Sequence, residues 1–508
     1  MKGTDCGAAQ QPAAASGPLD KMSSASLCIL VADGVRADTL GRMMDDGALP
    51  ALARLRAEGG AYDITSTFPS VTGPAYTPFV MGRFAGRAGV PGIRWLDRER
   101  RRASFPDYAR DYAGTGMRHI DGDVEPGAPT IFELVRGSIA AVSIVSRGVA
   151  RRDHVGTTYA DMLRAARAVY SGNFDRWLAM DRDVGRRLAR RVRETLPPLA
   201  FAAFLAADKA SHLAGQDSAI AREAIAVVDD VAAELRADAE RAGRWESTHL
   251  WVVSDHGHSP VTGHDDLVEV MRSLRHRTVA HPRPYSARPA DVAVMVSGNA
   301  MAHLYLDPAR RAREWWPALG ERWGALVEAL VSRESVDLVL LPHSPTRTEL
   351  RAGGPRRGAA FVTAEPGPGG GTRYSYLPES GDPLGLGAEL RALPPDEAYD
   401  ACAPTDYPDA MVQIAQLAGA PRSGDVILSA ARGWDFRASR YERVPHVSSH
   451  GALHREHMLV PLLLSRPPAR TPRRTADVMP SALELLGVPV PPGLDGASFV
   501  GTQSSAPR

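Results

Sequence analysis

The chain has 508 residues, 44% hydrophobic and 23% charged, with a formal net charge of +1. That length supports a large core, organised as about two to three domains or one large domain with insertions. The near-neutral balance excludes a global basic surface for nucleic acid or for an anionic membrane.

Cys6, Cys28 and Cys402 are widely spaced, odd in number and outside any CxxC pattern. This argues against a disulfide framework or a thiolate zinc site. Lys2, Lys21 and Lys209 are the only lysines among 60 Lys and Arg residues. The opening MKGTDCGAAQQPAAASGPLDKMSS is small and polar, with no apolar core of a signal peptide. Residues 1–25 and 501–508 are expected to be disordered tails. No apolar run is long enough to span a bilayer, and a cytoplasmic location is expected.

Short apolar runs then alternate with helical patterns. LCILVAD at 27–33 reads as a buried strand, followed by helix to about residue 58. AAVSIVS at 140–146 is a second strand, and 175–196 has helical periodicity. LAFAAFLAAD at 199–208 is apolar throughout, as a central parallel strand would be. A long helix follows at 217–241, then a strand in THLWVVSDH at 248–256. MLVPLLLS at 458–465 is a late strand, with a short helix after it in DVMPSALELLG. The alternation predicts an α/β domain with a mainly parallel central sheet flanked by helices.

Residues 265–440 break the pattern and read as an α+β insertion or cap between core segments 26–264 and 441–500. DVAVMVSG and AMAHLYL are adjacent strands, and a helix is expected around 309–332. GGPRRGAAFVTAEPGPGGGTRY lacks a phosphate-loop ending and reads as a flexible loop, a candidate lid.

Functional groups collect at the carboxyl ends of parallel strands. Asp33, Asp208 and Asp255 each end an apolar run. Singly, each serves as a strand terminator or helix N-cap. Together they gain partners of metal-binding type. His256 follows Asp255, and His212 stands four residues after Asp208, on one helical face if that turn is helical. Thr72, in TFPSVTGPAYTPFVMG, opens a helix, where it caps or presents a nucleophile to an anion at the helix start. His450 lies in SSHGALH; His454 and His457 are read as supporting or surface residues.

The ordered motifs VADGVRADTL, TFPSVTGPAYTPFVMGRFAGRAGV, ADKASH, VSDHGH and SSHG resemble the alkaline-phosphatase superfamily. The closer resemblance is to its type I phosphodiesterase/nucleotide pyrophosphatase branch. It covers roughly residues 25–265 and 440–500. It implies two divalent ions, zinc first with manganese or magnesium as alternatives. Asp208, His212 and His450 would hold one. Asp33, Asp255 and His256 would hold the other together with Thr72, which is both a ligand and the nucleophile. The implied substrate is a small phosphate ester, not a nucleic acid polymer: a diester or pyrophosphate first, a monoester or phosphonate as the alternative. A sulfatase is disfavoured, because Thr72 replaces that branch's modified cysteine. Family diesterases carry a phosphoryl-contacting asparagine where this chain reads GVPGIRWLD. There Arg94 fits either a phosphate contact or a structural arginine.

Overall fold

The computed structural model describes residues 25–100, 108–281, 289–354, 357–438 and 446–501. The expected tails lie outside these apart from Ala25 and Gly501.

A seven-stranded sheet forms the centre. Its strands are β1 (Ser26–Ala32), β2 (Ala61–Thr65), β3 (Ile139–Ala141), β4 (His154–Val155), β5 (Leu199–Phe204), β6 (Thr248–Val253) and β7 (Leu459–Leu464). The spatial order is β2-β7-β6-β1-β5-β3-β4. Pairings β1–β5, β1–β6, β3–β5 and β3–β4 are parallel. Only β7 runs against its neighbours β6 and β2. The mainly parallel α/β core is therefore as expected.

Alternation along β1 explains its unbroken apolar run. Leu27, Ile29 and Val31 face one core, with Tyr76, Phe79, Phe132 and Met479. Cys28, Leu30 and Ala32 face the other, with Leu52, Leu188 and Leu235 from flanking helices. A strand covered on both faces needs apolar residues at every position. Burying each large side chain contributes on the order of 1.5–3 kcal/mol.

Several elements differ from the sequence reading. The 199–208 run is strand only to Phe204; the helix Ala206–Ala214 then begins. Asp181, on the long helix Phe174–Thr195, accepts the Ala206 N–H at 2.7 Å and anchors that helix start. The 140–146 strand is cut to Ile139–Ala141, and Val142 has a φ of +54°. The edge strand β2 has no counterpart in the sequence reading.

A second sheet of nine strands, mostly antiparallel, occupies the region from Thr278 to Ala430. Val292–Ser297 and Met301–Leu306 pair antiparallel within it, and Trp316–Val331 packs on it as a helix. The Gly-rich segment is not a loop. It forms a hairpin of Gly358–Pro366 with Thr372–Ser380, its glycines making the turn. That hairpin is continuous with the strand Arg347–Ala352 and packs against the helix Ala410–Ala418. It is part of a sheet, which removes the ground for a lid. The boundary expected at 264/265 falls inside the strand Ser259–Asp266, which pairs with Gly433–Arg437 and Ser448–Ser449.

No helix among the described residues is long and apolar enough to cross a membrane.

Candidate active site

The predicted residues meet beyond the carboxyl ends of the central strands. Asp33 follows β1 directly, and Asp255 follows β6 after Ser254. Asp208 and His212 share one face of the helix after β5. Thr72 arrives from β2 on a segment tied down by Ser66 and Ser70, whose hydroxyls donate to the backbone oxygens of Asp255 and Ala452. His450 follows the strand Ser448–Ser449, which pairs with Ser259–Asp266. Its backbone bridges Asn299, in the turn after Val292–Ser297, and its carbonyl accepts the Ala300 N–H at 3.0 Å.

Two triangles of donor atoms result. In one, Asp208 Oδ1 lies 3.3 Å from His212 Nε2 and 3.4 Å from His450 Nε2, and the two imidazole nitrogens are 3.2 Å apart. In the other, His256 Nε2 lies 3.4 Å from both Asp33 Oδ1 and Asp255 Oδ2. Thr72 Oγ1 joins it, 3.0 Å from His256 Nε2 and 3.3 Å from Asp33 Oδ1. A tetrahedral ion with bonds of about 2.0–2.1 Å sets its ligands roughly 3.3 Å apart, which matches the three edges of the first triangle and the two His256 edges of the second. The triangles adjoin, because the His256 and His450 rings stack at 3.7 Å.

The imidazoles are oriented to match. The Nδ1 atoms of His212, His256 and His450 face the backbone oxygens of Ser448, Gly257 and Ser70 at 2.9, 3.2 and 3.0 Å. A carbonyl can only accept, so each Nδ1 carries the proton and each Nε2 lone pair points into the cluster. Asp255 Oδ2 is buried with no hydrogen-bond partner, an orphan acceptor that a cation would satisfy.

The charges say the same. Burial, then the Asp255 and Asp208 charges, hold the Asp33 carboxyl well above the usual carboxylate range. Burial also raises Asp255, against the opposing pull of His256. Burial would raise Asp208 too, but Lys209, His212 and His258 override it and keep that carboxyl well below its ordinary value. Buried carboxylates in mutual repulsion call for positive charge between them.

Thr72 does not cap. The short 3-10 turn Pro74–Tyr76 starts after Gly73, with no side-chain cap, and the Thr72 hydroxyl turns to Asp33 and His256 instead. Arg94 lies in the hairpin of Arg94–Leu96 with Ala109–Asp111, its Nε 3.4 Å from Asp111 Oδ1.

Two neighbours went unassigned in the sequence. His258 is fully buried and reaches Asp208 Oδ1 at 2.9 Å. Asp208 is ionised, so His258 Nε2 is the donor, and it supports the carboxylate rather than offering a lone pair. The H-x-H spacing with His256 was the available signal, since alternate residues of an extended segment share a side. Gly34 makes the room: its φ is +74°, and a Cβ there would sit 2.9 Å from His258 Nε2. Lys209 Nζ lies 2.6 Å from Asp208 Oδ2. His454 and His457 prove buried, with His457 Nε2 2.8 Å from Ser259 Oγ.

Residues 27–366 match the model of the type I phosphodiesterase / nucleotide pyrophosphatase family. The chain belongs to this family. The match includes every residue of the two triangles except His450, which lies beyond its end. Family members are metal-dependent phosphoric ester hydrolases. Among solved structures, the chain is similar to phosphonoacetate hydrolase from Sinorhizobium meliloti 1021 in complex with phosphonoformate. Identity is 15% and the TM-score 0.53, over 90% of this chain and 95% of that one. It is also similar to human ectonucleotide pyrophosphatase / phosphodiesterase 5, at 14% identity and a TM-score of 0.55, over 93% and 97%. An inactive threonine-to-alanine form of the murine protein, in complex with AMP, matches at 14% and 0.52 over the same shares. At these identities the likeness is one of fold. No curated protein matches the chain.

Proposed function

We propose that this member hydrolyses small phosphate esters with Thr72 as nucleophile, at a centre of two divalent ions, zinc first. The observation that carries the reading is the pair of donor triangles with their Nε2 lone pairs turned inward. Asp208, His212 and His450 would hold one ion; Asp33, Asp255 and His256, with Thr72, would hold the other. Oxygen and imidazole donors without thiolate suit zinc, and manganese or magnesium are the alternatives. When bound, the ions supply Lewis-acid charge at the nucleophile and at the leaving oxygen.

The chain's own groups set up the rest. Thr72 Oγ1 lies between Asp33 Oδ1 and His256 Nε2, and its one proton goes to one of these two acceptors, which leaves its lone pairs for phosphorus. In the first step the Thr72 O–P bond forms and the ester P–O bond breaks, and the departing oxygen leaves with a proton. In the second, water attacks the phospho-threonine, the Thr72 O–P bond breaks, Thr72 regains its proton, and the product released is a phosphomonoester from a diester or phosphate from a monoester. Two in-line displacements give net retention at phosphorus.

The family's description puts a diester or pyrophosphate first, and the phosphonate and AMP bound to structural relatives share the anionic phosphoryl group. Support for the nucleophile includes the inactive threonine-to-alanine relative. The test is hydrolysis of p-nitrophenyl phosphate and its bis-ester by protein with and without chelator. Loss of activity with the chelator and recovery on adding zinc is expected. Protein that holds two equivalents of metal and cleaves neither ester would overturn the reading.

A further inference from the structure

Lys209 is the one lysine within the described residues of a chain that otherwise uses arginine. It sits in the first turn of the helix that carries Asp208 and His212. Its Nζ pairs with Asp208 Oδ2, while Oδ1 of the same carboxylate faces His212 and His450. The ammonium is thus one carboxylate away from the centre. The Lys209 side chain is 40% exposed while Asp208 is 1% exposed, so solvent reaches the lysine and not the carboxylate it pairs with.

Other cations near the site are engaged. Arg94 is paired with Asp111, and Arg36 with Asp38. Ile93, beside Arg94, offers no amide. A lysine is a compact point charge on a flexible stem, suited to a single anionic oxygen rather than to bidentate recognition. Asp33, Asp208 and Asp255 against two divalent ions leave one net positive charge, and Lys209 makes it two. A phosphomonoester or phosphonate brings two negative charges near neutral pH, with a second pKa of about 6. A diester brings one.

We propose that Lys209 is a specificity-determining residue that binds a non-bridging oxygen of the substrate and biases the site toward doubly charged phosphoryl groups over singly charged diesters. This rests on the two-ion, Thr72 reading and departs from the substrate in the family's description. The bland role, neutralising Asp208, predicts a different result.

The experiment compares wild type, Lys209→Met and Lys209→Gln, the second of which keeps a donor for Asp208. It reads three quantities: metal content, inhibition by inorganic phosphate, and kcat/KM for p-nitrophenyl phosphate relative to the bis-ester. Loss of a charged contact predicts a fall in the monoester-to-diester ratio of roughly 10–100-fold in both variants, with phosphate inhibition weakened alike. Metal content should hold. An unchanged ratio overturns the proposal, whether or not metal is lost. If Thr72→Ala keeps its turnover, the nucleophile reading fails instead; if only the ratio is unmoved, Lys209 alone is misassigned.

Discussion

The Nδ1 of His450 lies 3.0 Å from the backbone oxygen of Ser70, two residues before Thr72. One hydrogen bond therefore ties the last predicted ligand in the sequence to the loop that presents the nucleophile. It also fixes which nitrogen of His450 faces Asp208 and His212.

The metal assignment follows from that orientation. His450→Ala and Asp208→Ala should each lower bound metal by about one equivalent of the two. Gly298→Ala should act more gently: a Cβ there would lie 3.1 Å from His450 Nδ1, at a φ of +63°. Disturbing such a supporting contact weakens metal affinity about 10–100-fold. Elemental analysis after dialysis against graded chelator checks all three. Wild-type stoichiometry in both alanine variants would refute the assignment.

Arg94 makes an opposite prediction. Its Nε lies 3.4 Å from Asp111 Oδ1, and we propose that it contributes to its hairpin rather than to catalysis. Arg94→Ala should leave kcat/KM within about 3-fold while costing about 1 kcal/mol of stability. Steady-state kinetics and thermal unfolding decide it. A 100-fold loss in kcat/KM with unchanged stability would restore Arg94 as a phosphate contact.

Asp181 should make stability depend on pH. Burial raises its pKa to about 7, despite the Ala206 and Leu205 N–H groups that lower it. The unfolded carboxyl titrates near 4, so between those values the native state binds more protons. Stability from this group is then full below about pH 4 and is lost as pH rises through about 7, on the order of a few kcal/mol in all. Asp181→Asn stays neutral and should flatten that window. Urea unfolding at several pH values would show it, and an identical slope in the variant would contradict it.

Much of the site was legible because its members follow buried strands. Asp33 and Asp255 end runs that must be apolar on both faces, and what marks them is their joint occurrence with His256, His212 and His450 rather than either position alone. Asp208 was found for a partly mistaken reason. Ala206 and Ala207 extend the apolar run, yet the strand stops at Phe204, because Asp181, distant in sequence, caps the next helix. β2, reading AYDIT, is short and mixed in polarity, so nothing local marks it. The glycines of 366–372 looked like a loop because a hairpin turn and a loop share their composition. Lys209 and His258 meet Asp208, His258 meets Ser448 and Arg94 meets Asp111 only in the folded chain. Each of these pairings is tertiary, beyond any single stretch of sequence.

The nucleophile is the central claim, and Thr72→Ala tests it most directly. Metal content and turnover of the better ester should be measured on one preparation. Asp33, Asp208, His212, Asp255, His256 and His450 remain in the variant, so metal should stay near the wild-type level. Turnover should fall by about 1,000-fold or more, the scale seen when a covalent nucleophile is removed. A Thr72→Ala protein that binds its metals and still turns over at the wild-type rate would contradict the account.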